Sequence, residues 1–335
     1  MTAPPLSCFW LACLGLAAGV AAATAQQFAT TKLGGGAGGT LTASAKGIDL
    51  VVGGNTIGGT SDECSFHHTL DGQAFDFALH LQSLQANGPA TSAGIMVREA
   101  LTPGARMVYL RATPSGLAAN GMQGQNDVRL VYRSATDAAS AGEEQAPSGT
   151  HPAPFFPDCW LRLVRDGNVF FALTSTDGLN WVIFNQVNTG PWPGGPFAAS
   201  VQVGVTGARD AAGANATAAA FIPVLDRATP FPPVISLIPN QRTAVGQPVG
   251  PIQFRIGDLN SGSAGITLSR TTGNPTLLPE TGIVLGGSGN LRTLTLNPAP
   301  GQSGSARVTV VATDRDGFSA QTRFTLEVGA GGEPP

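Results

Sequence analysis

Residues 160–184 read WLRLVRDGNVFFALTSTDGLNWVIF, and the periodicity of this stretch decides the fold class. Leu161 and Leu163 alternate with Arg162 and Val164; Phe171 and Leu173 alternate with Phe170 and Ala172. A period of two is that of a β-strand, whose successive side chains point to opposite faces. Two turn signals cut the stretch into three strands: Asp166-Gly167-Asn168 and Thr176-Asp177-Gly178-Leu179-Asn180. A tight hairpin turn takes positive φ, which glycine adopts without steric cost.

The pattern continues on both sides. Phe75, Phe77, Leu79 and Leu81 share one face of a strand within residues 73–82. Further strands read at 94–99, 107–111, 127–133, 197–205 and 218–224, and no helical period emerges. Short strands at regular spacing with turn signals between them indicate a sandwich or barrel. Residues 138–157, rich in Pro and small residues and carrying Glu143 and Glu144, read as a long loop. Residues 222–233, IPVLDRATPFPP, mark a boundary, and 225–233 read as a stiff, extended linker. Residues 234–328 form a second, smaller all-β unit with alternation at 290–297, 306–313 and 320–328, and 329–335 are a tail.

Glycine (45) and proline (25) make up about a fifth of the 335 residues, yet 42% are apolar, enough for packed cores. Charged residues are 12% and the net charge is −3. No basic patch of the kind that binds nucleic acid is present. Residues 1–25 resemble a secretory signal: an apolar run ends in Ala23-Thr24-Ala25, although no Lys or Arg precedes it. No later apolar stretch is long enough to span a membrane. The expected location is therefore secreted or cell surface. Of four cysteines, Cys8 and Cys13 lie in the signal region, leaving Cys64 and Cys159. An even pair in an exported chain predicts one disulfide; the alternative is two buried thiols.

The phrases GIMVREALTPGARMVYL, at 94–110, and WLRLVRDGNVFFALTSTDGLNW, at 160–181, together with the strands near Val201 and Phe221, resemble a concanavalin-A-like (laminin-G-like) sandwich. It recurs in bacterial exported proteins and in regulation-of-enolase-like proteins. The resemblance covers about residues 40–224. It implies a jelly-roll β-sandwich for 26–224, an extracellular setting and carbohydrate binding. The wording of 234–328 is similar to bacterial Ig-like or cadherin-like modules, which implies a smaller immunoglobulin-like sandwich acting as a spacer.

No catalytic constellation stands out. The Ser175–Trp181 segment resembles the Asp-box hairpin of sialidases, which is a structural turn even there. A sandwich glycosidase would need two carboxylates facing each other across a cleft, and no Glu-x-Asp-x-x-Glu run exists. His67 and His68 are adjacent on a strand, so they point to opposite faces and do not share a metal. Asp314-Arg315-Asp316-Gly317 reads either as a β-turn or, with Asp258, as a calcium site at a domain junction. Calcium is the one cofactor the sequence offers. Arg98, Arg111, Arg133 and Arg162 recur near the ends of four strands and, with Trp192 in the loop at 190–195, form the candidate ligand face. Sugars stack on aromatic rings and take directional hydrogen bonds from such groups. The alternative is a solvated sheet face with Trp192 covering the edge of the core. The expectation is an adhesion or binding protein for a polysaccharide or cell-surface glycan, and not an enzyme. A structural surface module is the second reading, and a glycan hydrolase the third.

Overall fold

The computed structural model describes residues 28–35, 38–44, 47–71, 74–85, 91–114, 127–144, 154–209, 216–221, 232–258 and 263–329. The expected signal segment at 1–25, most of the linker and the tail lie outside the described residues. No α-helix occurs among those described; the chain is an all-β sandwich fold.

The first unit contributes β1 (Ala29–Leu33), β2 (Thr40–Ser44), β3 (Gly47–Val52), β4 (Cys64–Asp71), β5 (Ala74–Gln85), β6 (Ser92–Arg98) and β7 (Met107–Thr113). It continues with β8 (Asp127–Arg133), β9 (Ala141–Glu144), β10 (Cys159–Asp166), β11 (Val169–Ser175), β12 (Asn180–Asn188), β13 (Val201–Ala208) and β14 (Ala216–Phe221). The second contributes β15 (Val234–Ile235), β16 (Gln241–Ala244), β17 (Val249–Gly257), β18 (Thr267–Thr272), β19 (Ile283–Ser288), β20 (Leu291–Leu296), β21 (Gly304–Thr313) and β22 (Ser319–Gly329).

The stretch at 160–184 forms β10, β11 and most of β12 in antiparallel register, as its period requires. Gly167 and Gly178 take φ of +58° and +74° in the two turns. The second turn is pinned by Asp177, whose Oδ1 accepts the N–H groups of Leu179 and Asn180 at 2.9 and 2.8 Å. Burial pushes the Asp177 carboxyl up, but hydrogen bonds from Asn180, Leu179 and Ser175 outweigh it and bring the pKa down to about 2. Trp181 Nε1 donates to Gly178 O, so this Asp-box-like segment is a structural turn. One expectation fails nearby: residues 141–144, read as loop, form edge strand β9 against β8.

Two sheets enclose the first core. One runs β1-β4-β13-β6-β7-β8-β9; the other contains β12-β11-β10-β5-β14-β3-β2. Phe75, Phe77, Leu79 and Leu81 point between them with Ile95, Val97, Leu110, Leu161 and Leu163.

The second sheet does not stop at β12. Residues Asn180, Trp181 and Val182 pair in parallel with Ser319, Ala320 and Gln321 of β22, and the sheet continues through β21 to β18. Val164, Phe171, Leu173, Trp181 and Ile183, on the far side of the central hairpins, join Phe254, Ile256, Leu294, Val310 and Phe324 in one core. A four-stranded sheet, β15-β17-β20-β19, forms the outermost layer. Residues 234–328 are therefore not a detached spacer: they share a sheet and a core with the first unit.

Candidate functional site

The arginine strip expected from the sequence does not exist as a ligand face. Arg98, Arg111 and Arg133 stand on β6, β7 and β8 of the seven-stranded sheet, but Arg162 stands on β10 of the other sheet. Arg98 and Arg133 are both 0% exposed and converge on buried Asp62. Arg133 holds both Asp62 oxygens, Oδ1 at 2.7 Å and Oδ2 at 3.0 Å, and Arg98 Nη1 donates to Oδ2. Their remaining donors reach carbonyls of Pro103, Ala105 and Gly58. A polar strip on a sheet stays solvated only while nothing crosses it, and the chain just before β4 crosses this one. Arg111 is drawn toward Asp127, 3.9 Å away, and Thr113.

Trp192 is not an exposed platform either. It is 8% exposed, stacks on Tyr132 at 5.6 Å and meets Phe197 edge-on at 5.7 Å. Arg106 lies 5.8 Å from its ring centroid and donates to the carbonyls of Pro193, Gly195 and Pro196. The tryptophan closes one end of the first core, as the alternative reading had it.

The disulfide is also corrected. Cys64 and Cys159 are both buried and no disulfide joins them. Cys64 packs with Phe66, Met96 and Tyr109 on the outer side of the seven-stranded sheet, whereas Cys159 lies in the core between the sheets. A whole sheet separates the two thiols. Burial pushes the Cys64 thiol up to about 11, which removes its nucleophilic form at neutral pH.

Asp314, Asp316 and Asp258 are close enough to influence one another, but the geometry is that of a turn. Asp314 Oδ1 accepts the N–H groups of Asp316 and Phe318, both at 2.9 Å, and its Oδ2 is buried without a hydrogen-bond partner. Burial raises the pKa of Asp314, and the charges of Asp258 and Asp316 add to the effect. Among the described residues, no group of three His, Cys, Asp or Glu side chains is arranged to hold a metal. The calcium expectation gains no ligand set from the structure.

What the sequence missed is a cleft of about 470 Å³ where the two units meet. Its floor is the far side of the central hairpins, with Val164, Phe171 and the Arg162–Asp76 pair. Arg162 Nε donates to Asp76 Oδ1 at 2.7 Å, and Nη2 donates to Oδ2. The same guanidinium holds the carbonyls of Pro232 at 2.6 Å and Pro233 at 3.3 Å, and lies 5.4 Å from the Trp181 ring. Arg162 is therefore a clasp between the units, with most of its donors engaged. The opposite wall is the end of β17, with Arg255 and Ile256, and Asp258 just beyond it; Ser263 and Asn290 complete the rim. Arg255, Asn290 and Asp166 are exposed to solvent at its mouth. The apolar floor comes from the first unit, and most of the polar rim comes from the second.

One signal could have found this cleft. The central hairpins are apolar on both faces: Leu161, Leu163 and Phe170 point one way, Val164, Phe171 and Leu173 the other. A strand apolar on both sides is covered on both sides, which calls for a second layer, and a cleft forms where that layer ends.

No protein-family model matches the chain, and no curated protein matches it. Solved structures with some similarity include a functionally unknown protein from Saccharomyces cerevisiae, with TM-score 0.41 and 16% identity over 59% of this chain and 97% of that one. An endo-fucoidan hydrolase of glycoside hydrolase family 107 gives TM-score 0.22 and 13% identity over 55% of this chain and 25% of that one. A nucleoside hydrolase-related protein from Saccharophagus degradans, associated with carbohydrate metabolism, gives TM-score 0.23 and 13% identity, over 31% and 27%. The chain thus spans about a quarter of each of the latter two proteins. With a hydrolase and a hydrolase-related protein among its structural neighbours, the expectation that the chain is not an enzyme is withdrawn; likenesses this remote assign no reaction to it.

Proposed function

We propose that this chain is an exported binding or adhesion protein that takes carbohydrate into the cleft between its two units. The observation that carries the reading is the composition of that cleft. Arg162, Arg165 and Arg255 are matched by Asp76, Asp166 and Asp258, so formal charge cancels and a strongly charged ligand gains nothing by entering. An apolar floor with Phe171 beside a rim of carboxylate, guanidinium, hydroxyl and amide groups suits a neutral ligand rich in hydroxyls. The apolar run at 1–25 supports export, and the resemblance of residues 40–224 to laminin-G-like sandwiches points to a glycan. A purely structural surface module is the second reading, favoured by the filled outer face of the seven-stranded sheet around Asp62.

The test is a glycan-array and insoluble-polysaccharide pull-down with the whole chain after residue 25, with and without calcium. Arg255→Ala and Asn290→Ala remove exposed rim groups without disturbing either core. Each is expected to weaken binding about tenfold or more, the size of a lost hydrogen bond to a charged or well-placed group. A folded sample that binds no glycan refutes the reading, as does binding that both variants leave unchanged.

A further inference from the structure

We infer that the chain pairs with a second copy of itself through the edge of β18, extending the eleven-stranded sheet across a two-fold axis. β18 is one end of that sheet and β2 the other. An open strand edge presents a row of unpaired N–H and C=O groups, and proteins that stay monomeric guard such edges with charges, proline, bulges or cover.

Two of the other edges carry such guards. β1 has Lys32 and is tied down by Thr30 and Thr31, which hydrogen-bond His67 and His68. β9 is only four residues long and ends in Glu143 and Glu144. β19 pairs with β20 through six consecutive residues, but two of them, Gly286 and Gly287, offer no side chain to a cross-strand pair, and Gly287 takes φ +79° beside the hairpin turn. β2 is uncharged and one residue shorter than β18.

β18 carries no proline, bulge or exposed charge; the short turn at Glu280–Gly282 packs beside it at Arg270. The strand pairs with β21 through six consecutive residues without a bulge. Its sequence, TLSRTT, contains no proline. Its one charged residue, Arg270, is half-buried, and its Nε donates to Glu280 O at 3.3 Å rather than standing at the edge. Among the described residues, no backbone hydrogen bond from another element reaches the outer side of the strand.

The strand is also complementary to itself in one register. A two-fold axis normal to the sheet keeps each face continuous, so exposed residues must oppose exposed residues. Thr267, Ser269 and Thr271 are the exposed set. Centring the axis on Ser269 places Thr267 opposite Thr271 and Leu268 opposite Arg270. Hydroxyl pairs face each other on the solvent side, which favours pairing. Centring it on Arg270 would set that guanidinium against its own mate. The occupant that fits this edge without like charges opposed is therefore the same edge of a second chain, in the Ser269-centred register.

Sedimentation velocity on the whole chain after residue 25, over a concentration series reaching about 200 µM, reads the association. A small interface of this kind predicts a dissociation constant on the order of 10⁻⁵ M. Ser269→Lys opposes two ammonium groups on the axis and is expected to weaken the dimer at least tenfold while circular dichroism stays unchanged. Thr271→Lys, also on the exposed face, serves as the second variant if Ser269→Lys does not fold. Ser269→Cys is expected to crosslink across the axis under mild oxidation, and amides 267–272 to gain hydrogen-exchange protection with concentration. A monomer throughout the series overturns the inference, and so does a dimer that both lysine variants leave intact.

Discussion

Removing the Asp76 carboxylate tests the clasp between the two units. In Asp76→Ala, Arg162 loses the partner of its Nε and one partner of its Nη2 while remaining 1% exposed. A buried charge stripped of its counter-ion typically costs about 3–5 kcal/mol. The carbonyls of Pro232 and Pro233 still accept from the guanidinium, which places the expected loss near the lower end, about 3 kcal/mol. The companion variant replaces both charges, Asp76→Leu with Arg162→Met. Since an apolar pair of similar volume often substitutes for a buried ion pair without loss, the double variant is expected to recover at least half of the deficit. Urea unfolding followed by tryptophan fluorescence and far-ultraviolet circular dichroism measures both quantities. Trp160 and Trp181 pack in or against the core shared by the units, and Trp192 lies in the first core, so all should report one transition. A loss below about 1 kcal/mol, or a double variant as unstable as the sum of the singles, would show that the pair does not hold the units together.

Three further outcomes follow from the same geometry. Residues 26–224 produced alone should bind 8-anilinonaphthalene-1-sulfonate or precipitate, because Phe171, Leu173, Trp181 and Ile183 lose their cover; a soluble, dye-silent, cooperatively melting fragment would contradict the shared core. Burial, assisted by the neighbouring His68, brings the pKa of His67 down from 6.5 to about 4, so its neutral form belongs to the fold and the unfolded chain binds the extra proton in between. Stability from this group is complete above about pH 6.5 and falls as pH drops toward 4, and His67→Gln should flatten the urea midpoint over that window. Thiol titration of the native chain after residue 25 should detect no reactive cysteine, and denaturation without reductant should reveal two; a peptide linking Cys64 to Cys159 would refute the separation of their cores.

The parts of the fold that were legible are those set by neighbours in sequence. The alternation of Phe75, Phe77, Leu79 and Leu81 named a buried face, and Asp166-Gly167 and Asp177-Gly178 named two turns. The site was not legible, because each of its partnerships joins distant segments. Nothing local couples Arg98 and Arg133 to Asp62, or Arg162 to Asp76, and an unpaired reading of those arginines naturally puts them in solvent. The cysteine pair failed for the opposite reason: parity and export suggest a bond, but only topology shows which side of a sheet each thiol occupies. The second layer is the exception: the apolar residues on both faces of β10 and β11 are a local signal that the outer face of these strands is covered too.

The position of β22 has a mechanical consequence. Ten of its residues pair antiparallel with β21, while its other edge runs parallel to β12 at one end and to β16 at the other. A load applied at Gly329 along the strand therefore acts on these rungs in shear, so that they share the force rather than opening one by one like a zipper. The same load passes straight across the seam into β12 and the central hairpins. A tether at the end of β22 would be resisted by both units together, and the force needed to extract this strand is a direct reading of how firmly the two are joined.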